Sequence, residues 1–158
     1  KWSRYEPEEK AVMIVYASMY GNTESAVNSL ATKFVEKGMK NVVMYDVSST
    51  HVSNLISETF RVSHIVLASV TYNLGIYPPM HNYLMDMKAL NLQKRTFAII
   101  ENGSWACKSG NLMREFLYGM RDMTVLDDKV TLVSSMKEDN IQDMDMLVES
   151  VMESMKES

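Results

Sequence analysis

The sequence predicts a doubly wound α/β fold, a three-layer sandwich with helices on both faces of a parallel sheet. Two observations support this prediction. Several apolar runs are continuous rather than alternating, which is typical of strands buried on both faces. Segments with apolar residues at helical spacing separate these runs. With right-handed crossovers, the pattern gives a five-stranded parallel sheet of order 2-1-3-4-5, counted along the chain.

The first half of the chain supplies two strands and two helices. The apolar run at 11–17 predicts the first strand. A helix is expected at about 22–37, where apolar residues recur every three or four positions, and Gly38 would end it. The remaining elements of this half are a short strand at 41–45, a turn at 46–50 and a helix at about 51–60.

The second half repeats this alternation, with longer loops between the elements. A continuous apolar strand at 64–68 precedes a loop at 70–79, and Pro79 suits the first turn of the helix that follows. The later elements are a strand at 94–100, a polar loop at 101–110, a helix at about 112–120, a strand at 129–133 and a helix at about 141–155.

Length and composition fit one domain. We expect residues 11–158 to fold together and residues 1–10 to be a linker or arm from a preceding domain. The chain begins with Lys1 rather than Met, which suggests a processed product or a segment of a longer polypeptide. The composition, 46% hydrophobic and 23% charged, is that of a globular protein.

Charge and residue counts argue against several functions. A net charge of -4 disfavours nucleic acid, which attracts basic faces. The single cysteine excludes an internal disulfide and a cysteine-built zinc site, and it suits the cytoplasm. The three histidines are scattered without metal-ligand spacing, and no apolar run reaches the roughly 20 residues of a membrane span. No residue set resembles a catalytic acid, base or nucleophile.

The loop after the first strand is the main candidate site. Ser18, Tyr20 and Thr23 offer hydroxyls, and a helix N-terminus adds free N–H groups and a positive dipole end. These features predict a phosphate cradle. With no Lys or Arg and only Gly21, the loop fits neither a nucleotide P-loop nor a dinucleotide turn. The alternative is an ordinary connection with a well-capped helix.

Two more loops should lie beside this cradle. In a sheet of this order, ligands bind at the carboxyl strand ends where the winding reverses, so the loops after strands 1, 3 and 4 are neighbours. Tyr72 and Tyr77 lie in one of these loops and Trp105 in the other. A phosphate cradle beside aromatic walls fits a flat phosphorylated ring, and flavin mononucleotide (FMN) has that form. Alternatively, the aromatic side chains anchor the loops to the core.

At these loops the chain resembles a known family. Ser18-Met19-Tyr20-Gly21-Asn22-Thr23 is similar to the phosphate loop of flavodoxins. The segment 69–78, which reads Ser-Val-Thr-Tyr-Asn-Leu-Gly-Ile-Tyr-Pro, is similar to Ser-Pro-Thr-x-Asn-x-Gly-x-x-Pro of the flavodiiron proteins, or A-type flavoproteins. Lys1-Trp2-Ser3 resembles the end of their diiron domain. The third loop departs from the family pattern, because two expected glycines are replaced by Ser104 and Cys107.

The resemblance implies noncovalent FMN and a flavodoxin-like electron-transfer domain. The diiron ligands have no counterpart in this chain, so oxygen or nitric oxide reduction would need a separate domain. The implied FMN-binding residues are Ser18, Met19, Tyr20, Gly21, Asn22, Thr23, Val70, Thr71, Tyr72, Asn73, Leu74, Gly75, Asn102, Gly103, Ser104 and Trp105.

The resemblance also implies partners. Electrons would arrive from a donor protein such as rubredoxin or a flavin reductase and pass to the diiron domain of the parent chain or of its dimer mate. The first alternative is a free-standing FMN-dependent reductase of quinones or NAD(P)H. The second is a response-regulator-like module, which would need acidic residues where strand 1 is followed by Ser18.

Overall fold

The computed structural model describes residues 9–16, 22–39, 42–47, 49–72, 75–76, 78–90, 92, 95–102, 116–117, 123–132 and 138–157. The strands are β1 (Glu9–Tyr16), β2 (Val42–Asp46), β3 (Val62–Tyr72), β4 (Gly75–Ile76), β5 (Arg95–Asn102) and β6 (Met123–Leu132). The helices are α1 (Asn22–Glu36), α2 (Val52–Arg61), α3 (Pro78–Ala89) and α4 (Glu138–Glu157). Residues 116–117 are also helical and lie within the helix predicted at 112–120.

The predicted fold class is confirmed. Hydrogen-bonded strands follow the order β2-β1-β3-β5-β6, and each pair along this path is parallel. Without the two-residue β4, which pairs antiparallel with β3, this is the predicted order 2-1-3-4-5. The winding therefore reverses between β1 and β3.

Alternation along the central strands builds a core on each face of the sheet. Met13 and Val15 of β1 pack into one apolar cluster, whereas Val12 and Ile14 pack into the other. All four side chains are fully buried. Because successive side chains point to opposite faces, a strand covered on both sides needs apolar residues at every position. This requirement explains the continuous apolar runs of the sequence.

Helices α2 and α3 cover one face, and α1 and α4 cover the other. The second pair is also joined by two ion pairs, from Lys33 Nζ to Asp145 Oδ1 at 2.6 Å and from Lys37 Nζ to Glu149 Oε1 at 3.2 Å. Since these pairs are partly exposed, each stabilises the fold by about 1 kcal/mol at most.

Local hydrogen bonds determine where α1 ends and where α2 begins. Gly38 has φ of 97° and ends α1, with Met39 N–H donating to Phe34 C=O at 3.0 Å. This is the Schellman arrangement that the predicted C′ glycine implies. The N-cap of α2 is His51, whose Nδ1 accepts from Ser53 N–H at 3.2 Å. The sequence predicted this helix at about 51–60, and histidine is not among the usual capping residues.

β3 and β6 differ most from the predicted strands, and both are longer than predicted. β3 continues through Tyr72, so Val70, Thr71 and Tyr72 belong to a strand rather than to the predicted loop. β6 begins at Met123 instead of 129. Between the pairs Phe97↔Val125 and Ile99↔Lys129 the register shifts, and β6 has two extra residues there. Asp127 and Asp128 disfavour a regular strand, but this irregularity accommodates them.

A buried polar network joins β5, α2 and α3. Arg95, which is 1% exposed, donates from Nε to Thr59 C=O at 3.3 Å and from Nη2 to Phe60 C=O at 2.8 Å. Burial lowers the pKa of Arg95 to about 10, so the guanidinium is charged at neutral pH. A cation interacts favourably with the carbonyls at a helix C-terminus, where the helix dipole is negative. The Thr59 hydroxyl donates to Leu55 C=O at 2.6 Å and bonds the Tyr83 hydroxyl.

Tyr83 should make the fold sensitive to alkali. Burial raises the pKa of the Tyr83 phenol above its usual value, so the phenol ionises more readily in the unfolded chain. The stability that Tyr83 contributes is therefore present below about pH 10 and is lost as the pH rises further. From pH 9 to 11, wild type should lose about 1 kcal/mol more unfolding free energy than Tyr83→Phe, measured by urea denaturation.

Tyr45 provides the matched control, because it is only partly buried and its hydroxyl donates to Glu58 Oε1 at 2.9 Å. The Tyr45→Phe variant should keep most of the alkaline loss seen in wild type. Equal pH slopes for wild type and Tyr83→Phe would contradict the role assigned to Tyr83.

Candidate functional site

The candidate site lies at the carboxyl edge of the sheet. β1 ends at Tyr16, β3 at Tyr72 and β5 at Asn102. Because these strands are parallel and adjacent, their ends share one edge. The β1/β3 reversal point is where a crevice opens between loops that leave the sheet in opposite directions.

The first predicted loop follows β1, whose end lies at this reversal point, and precedes α1. Asn22 and Thr23 are the first two residues of α1, a helix of 15 residues. The first turn of a helix has N–H groups without intrahelical partners, and its dipole favours an anion there. Tyr16 C=O accepts from Val47 N–H at 2.8 Å, which fixes the end of β1 to the residue after β2. The described backbone thus provides an anion-attracting helix end at the predicted place.

The second predicted loop is partly a β-hairpin. Thr71 pairs with Ile76 and Tyr72 with Gly75, antiparallel. The connection between β3 and β4 is therefore only two residues long, and α3 begins two positions after Ile76. The sequence did not reveal this hairpin, because a two-residue β4 is too short to show a period.

The third predicted loop starts at Asn102, the last residue of β5. Asn102 pairs with Val70 of β3 on one side and with Leu132 of β6 on the other. The start of this loop is thereby fixed beside the hairpin.

The structure describes the backbone of some predicted site residues and not of others. It brings the described ones, from three separate parts of the chain, to the same edge of the sheet. They are Asn22, Thr23, Val70, Thr71, Tyr72, Gly75 and Asn102. The others lie outside the described residues: Ser18, Met19, Tyr20, Gly21, Asn73, Leu74, Gly103, Ser104 and Trp105, together with the discussed Tyr77 and Cys107.

A cavity of about 550 Å³ opens at the same edge between α2 and α3, and the sequence did not predict it. Val47 and Leu55 contribute apolar surface, and His81, Asn82 and Asp86 contribute polar surface. Lining residues come from several elements with no shared motif, so no local pattern could reveal the cavity.

The described ranges contain neither a metal-binding cluster nor a membrane-spanning helix. Among those residues, no group of three or more His, Cys, Asp or Glu is placed to hold a metal ion. None of the helices in the described part of the chain is long and apolar enough to cross a membrane.

Comparison with known proteins connects this geometry to a family. The family model described as "Flavodoxin" matches residues 14–124. Rubredoxin-oxygen oxidoreductase of Megalodesulfovibrio gigas is 28% identical over 120 residues, which cover 76% of this chain and 29% of that protein.

Solved structures show the same fold. Rubredoxin oxygen:oxidoreductase from the anaerobe Desulfovibrio gigas matches with a TM-score of 0.88 and 24% identity, over 98% of this chain and 38% of that one. The flavodiiron protein from Giardia intestinalis matches with a TM-score of 0.81 and 18% identity, over 99% of this chain and 39% of that one. The chain thus spans about two fifths of these two structures.

Proposed function

The chain belongs to the flavodoxin family, and from this membership we propose that it binds FMN noncovalently and transfers electrons. The observation that supports this most directly is the convergence of the α1 N-terminus, the β3–β4 hairpin and the end of β5 at the β1/β3 reversal point. An anion-attracting helix end beside two further loops fits a phosphorylated ring system.

Different loops would bind the phosphate and the ring of FMN. The phosphate would be held by the 18–23 loop, where backbone N–H groups of the first turn of α1 and the hydroxyls of Ser18 and Thr23 are donors. The hairpin and the loop that begins at Asn102 would enclose the ring and exclude water. FMN supplies the redox chemistry when bound, and the protein orients it and sets its electrostatic surroundings.

The partner follows from the proteins that this chain resembles. We propose that it acts as the flavodoxin-like part of a flavodiiron-type oxidoreductase. The linker predicted at residues 1–10 would follow a preceding domain, and its last two residues already belong to β1. Two observations support this: the fold similarity to a flavodiiron protein and the sequence similarity to rubredoxin-oxygen oxidoreductase. Electrons would pass to a diiron domain and arrive from a donor such as rubredoxin or a flavin reductase, in the cytoplasm.

Replacing Thr23 with valine tests the phosphate assignment. Thr23→Val keeps the side-chain shape but removes a hydroxyl from the first turn of α1. Because hydrogen bonds to a charged group contribute about 1.5–3 kcal/mol, FMN affinity should fall by about 10- to 100-fold. Quenching of FMN fluorescence during titration of the apoprotein measures this affinity.

Thr32→Val is the matched control. Thr32 lies on the exposed side of the same helix, where its hydroxyl donates to Asn28 C=O at 3.0 Å. This variant should bind FMN as wild type does. Equal FMN affinity for Thr23→Val and Thr32→Val would reject the role given to Thr23.

A further inference from the structure

We propose that Ser154 is a nucleophile activated by His64, and that carboxylic esters with a good leaving group acylate it. The residues concerned are Ser63 and His64 at the start of β3 and Ser154 near the end of α4. They lie toward the amino edge of the sheet, whereas the candidate flavin site lies at the carboxyl edge. The proposed reaction therefore does not depend on FMN.

The three side chains form one hydrogen-bonded chain through the His64 ring. Ser63 Oγ lies 2.7 Å from His64 Nδ1, and Ser154 Oγ lies 3.1 Å from His64 Nε2. In a neutral imidazole, one nitrogen donates and the other accepts. When Nδ1–H donates to the Ser63 hydroxyl, Nε2 accepts from the Ser154 hydroxyl. A hydroxyl within reach of a base that a third group orients is the general arrangement of an activated nucleophile.

Burial differs between the base and the nucleophile. His64 is 2% exposed and Ser63 is 7% exposed, whereas Ser154 is partly exposed. The imidazole is therefore shielded from water. Ser154 is the member of the chain that a reagent in solution can reach.

The fold fixes the base and the nucleophile independently of each other. His64 pairs with Val12 of β1 and with Thr96 of β5, so it lies on a central strand. On α4, Val151 precedes Ser154 by three positions and is 1% exposed. Because residues three positions apart share a helix face, the burial of Val151 directs Ser154 toward the sheet. The contact joins residues 90 positions apart, so no local sequence motif indicates it.

The reaction balances without a cofactor. Ser154 Oγ would attack the carbonyl carbon of the ester while its proton passes to His64 Nε2. The Oγ–C bond forms, the bond from that carbon to the leaving oxygen or sulfur breaks, and His64 returns the proton to the leaving group. The products are O-acylated Ser154 and an alcohol or a thiol. Ser63 contacts only the base and is a positioning residue.

A second serine–histidine contact provides an internal control. Ser53 Oγ lies 2.7 Å from His51 Nδ1, but Ser53 is exposed and the same nitrogen also accepts from Ser53 N–H. The probe is p-nitrophenyl acetate, and peptide mass spectrometry measures the acetylation of each serine. Ser154 should react at least about 100-fold faster than Ser53, as general-base catalysis predicts. Reaction governed by exposure alone would favour Ser53. Saturation with FMN should leave the Ser154 rate unchanged.

Two variants test the roles of the neighbours of Ser154. His64→Gln keeps a polar side chain but removes the base, so acetylation of Ser154 should fall to the rate of Ser53. Ser63→Ala removes the hydroxyl that orients the imidazole, and it should slow acetylation of Ser154 about tenfold while the melting temperature stays within a few degrees of wild type. The rate of Ser53 should be the same in both variants.

Three results would overturn the proposal. They are the absence of acetyl groups on Ser154 in wild type, equal rates for Ser154 and Ser53, and a wild-type rate for Ser154 in both variants. If His64→Gln does not fold, the comparison of the two serines in wild type and the Ser63→Ala rate decide the question. None of these results depends on FMN binding, so the proposed function is tested separately.

Discussion

Replacing Arg95 with alanine is expected to lower the free energy of unfolding by about 3 kcal/mol. The guanidinium donates to two carbonyls at the end of α2, those of Thr59 and Phe60, in a buried setting. Without it, these carbonyls lose a charged donor where water is excluded, and the contact with the Phe60 ring at 5.8 Å is lost. Relief of the desolvation that lowers the pKa of Arg95 offsets only part of this cost.

Arg61→Ala is the matched control for this experiment. Arg61 forms an ion pair with Glu58, with 2.7 Å between Nε and Oε2, and both side chains are 25% exposed. Its removal should cost less than about 1 kcal/mol. For a chain of this size, the two variants should differ by about 4–8 °C in melting temperature. Equal destabilisation would show that Arg95 has no special role at the end of α2.

Adding FMN to the apoprotein is expected to raise the free energy of unfolding by about 4 kcal/mol when FMN is present at about a thousand times its dissociation constant. The reason is linkage: a ligand that needs three strand ends and a helix N-terminus at one edge binds the folded chain only. The melting temperature should rise by roughly 8–16 °C and continue to rise with FMN concentration.

Riboflavin, which lacks the phosphate, is the control ligand. It should stabilise the protein less than FMN at equal concentration, because the first turn of α1 then has no anion to bind. An unchanged melting temperature with FMN would reject the proposed function. Equal shifts with FMN and riboflavin would reject only the phosphate site at α1.

The sequence predicted the fold because a strand that is buried on both faces is apolar at consecutive positions. Val12, Met13, Ile14 and Val15 are apolar without interruption, which is sufficient to place β1 inside a covered parallel sheet. Strand order then followed from topology rules. The last strand was placed too late, because Asp127 and Asp128 end the apolar pattern, although the backbone accommodates both through a shift in register.

The sequence predicted which loops form the site but not how their backbones are paired. Strand order alone indicated that the loops after Tyr16, Tyr72 and Asn102 meet. The β3–β4 hairpin depends on pairing two residues at Gly75 and Ile76, for which no sequence period exists. Likewise, the Lys33–Asp145 pair joins residues 112 positions apart, and only the packing of α1 against α4 brings them together.

The irregularity in β6 has a consequence for self-association. In the described sheet, β6 pairs with β5 on one side and with no other strand, so its outer row of N–H and C=O groups is a potential template for another chain. Two extra residues interrupt that row between Val125 and Lys129, and this stretch of the sequence contains Asp127 and Asp128. An irregularity and acidic residues on an edge strand both disfavour pairing with a second molecule. Replacing Asp127 and Asp128 with uncharged residues should therefore favour fibril formation at this edge.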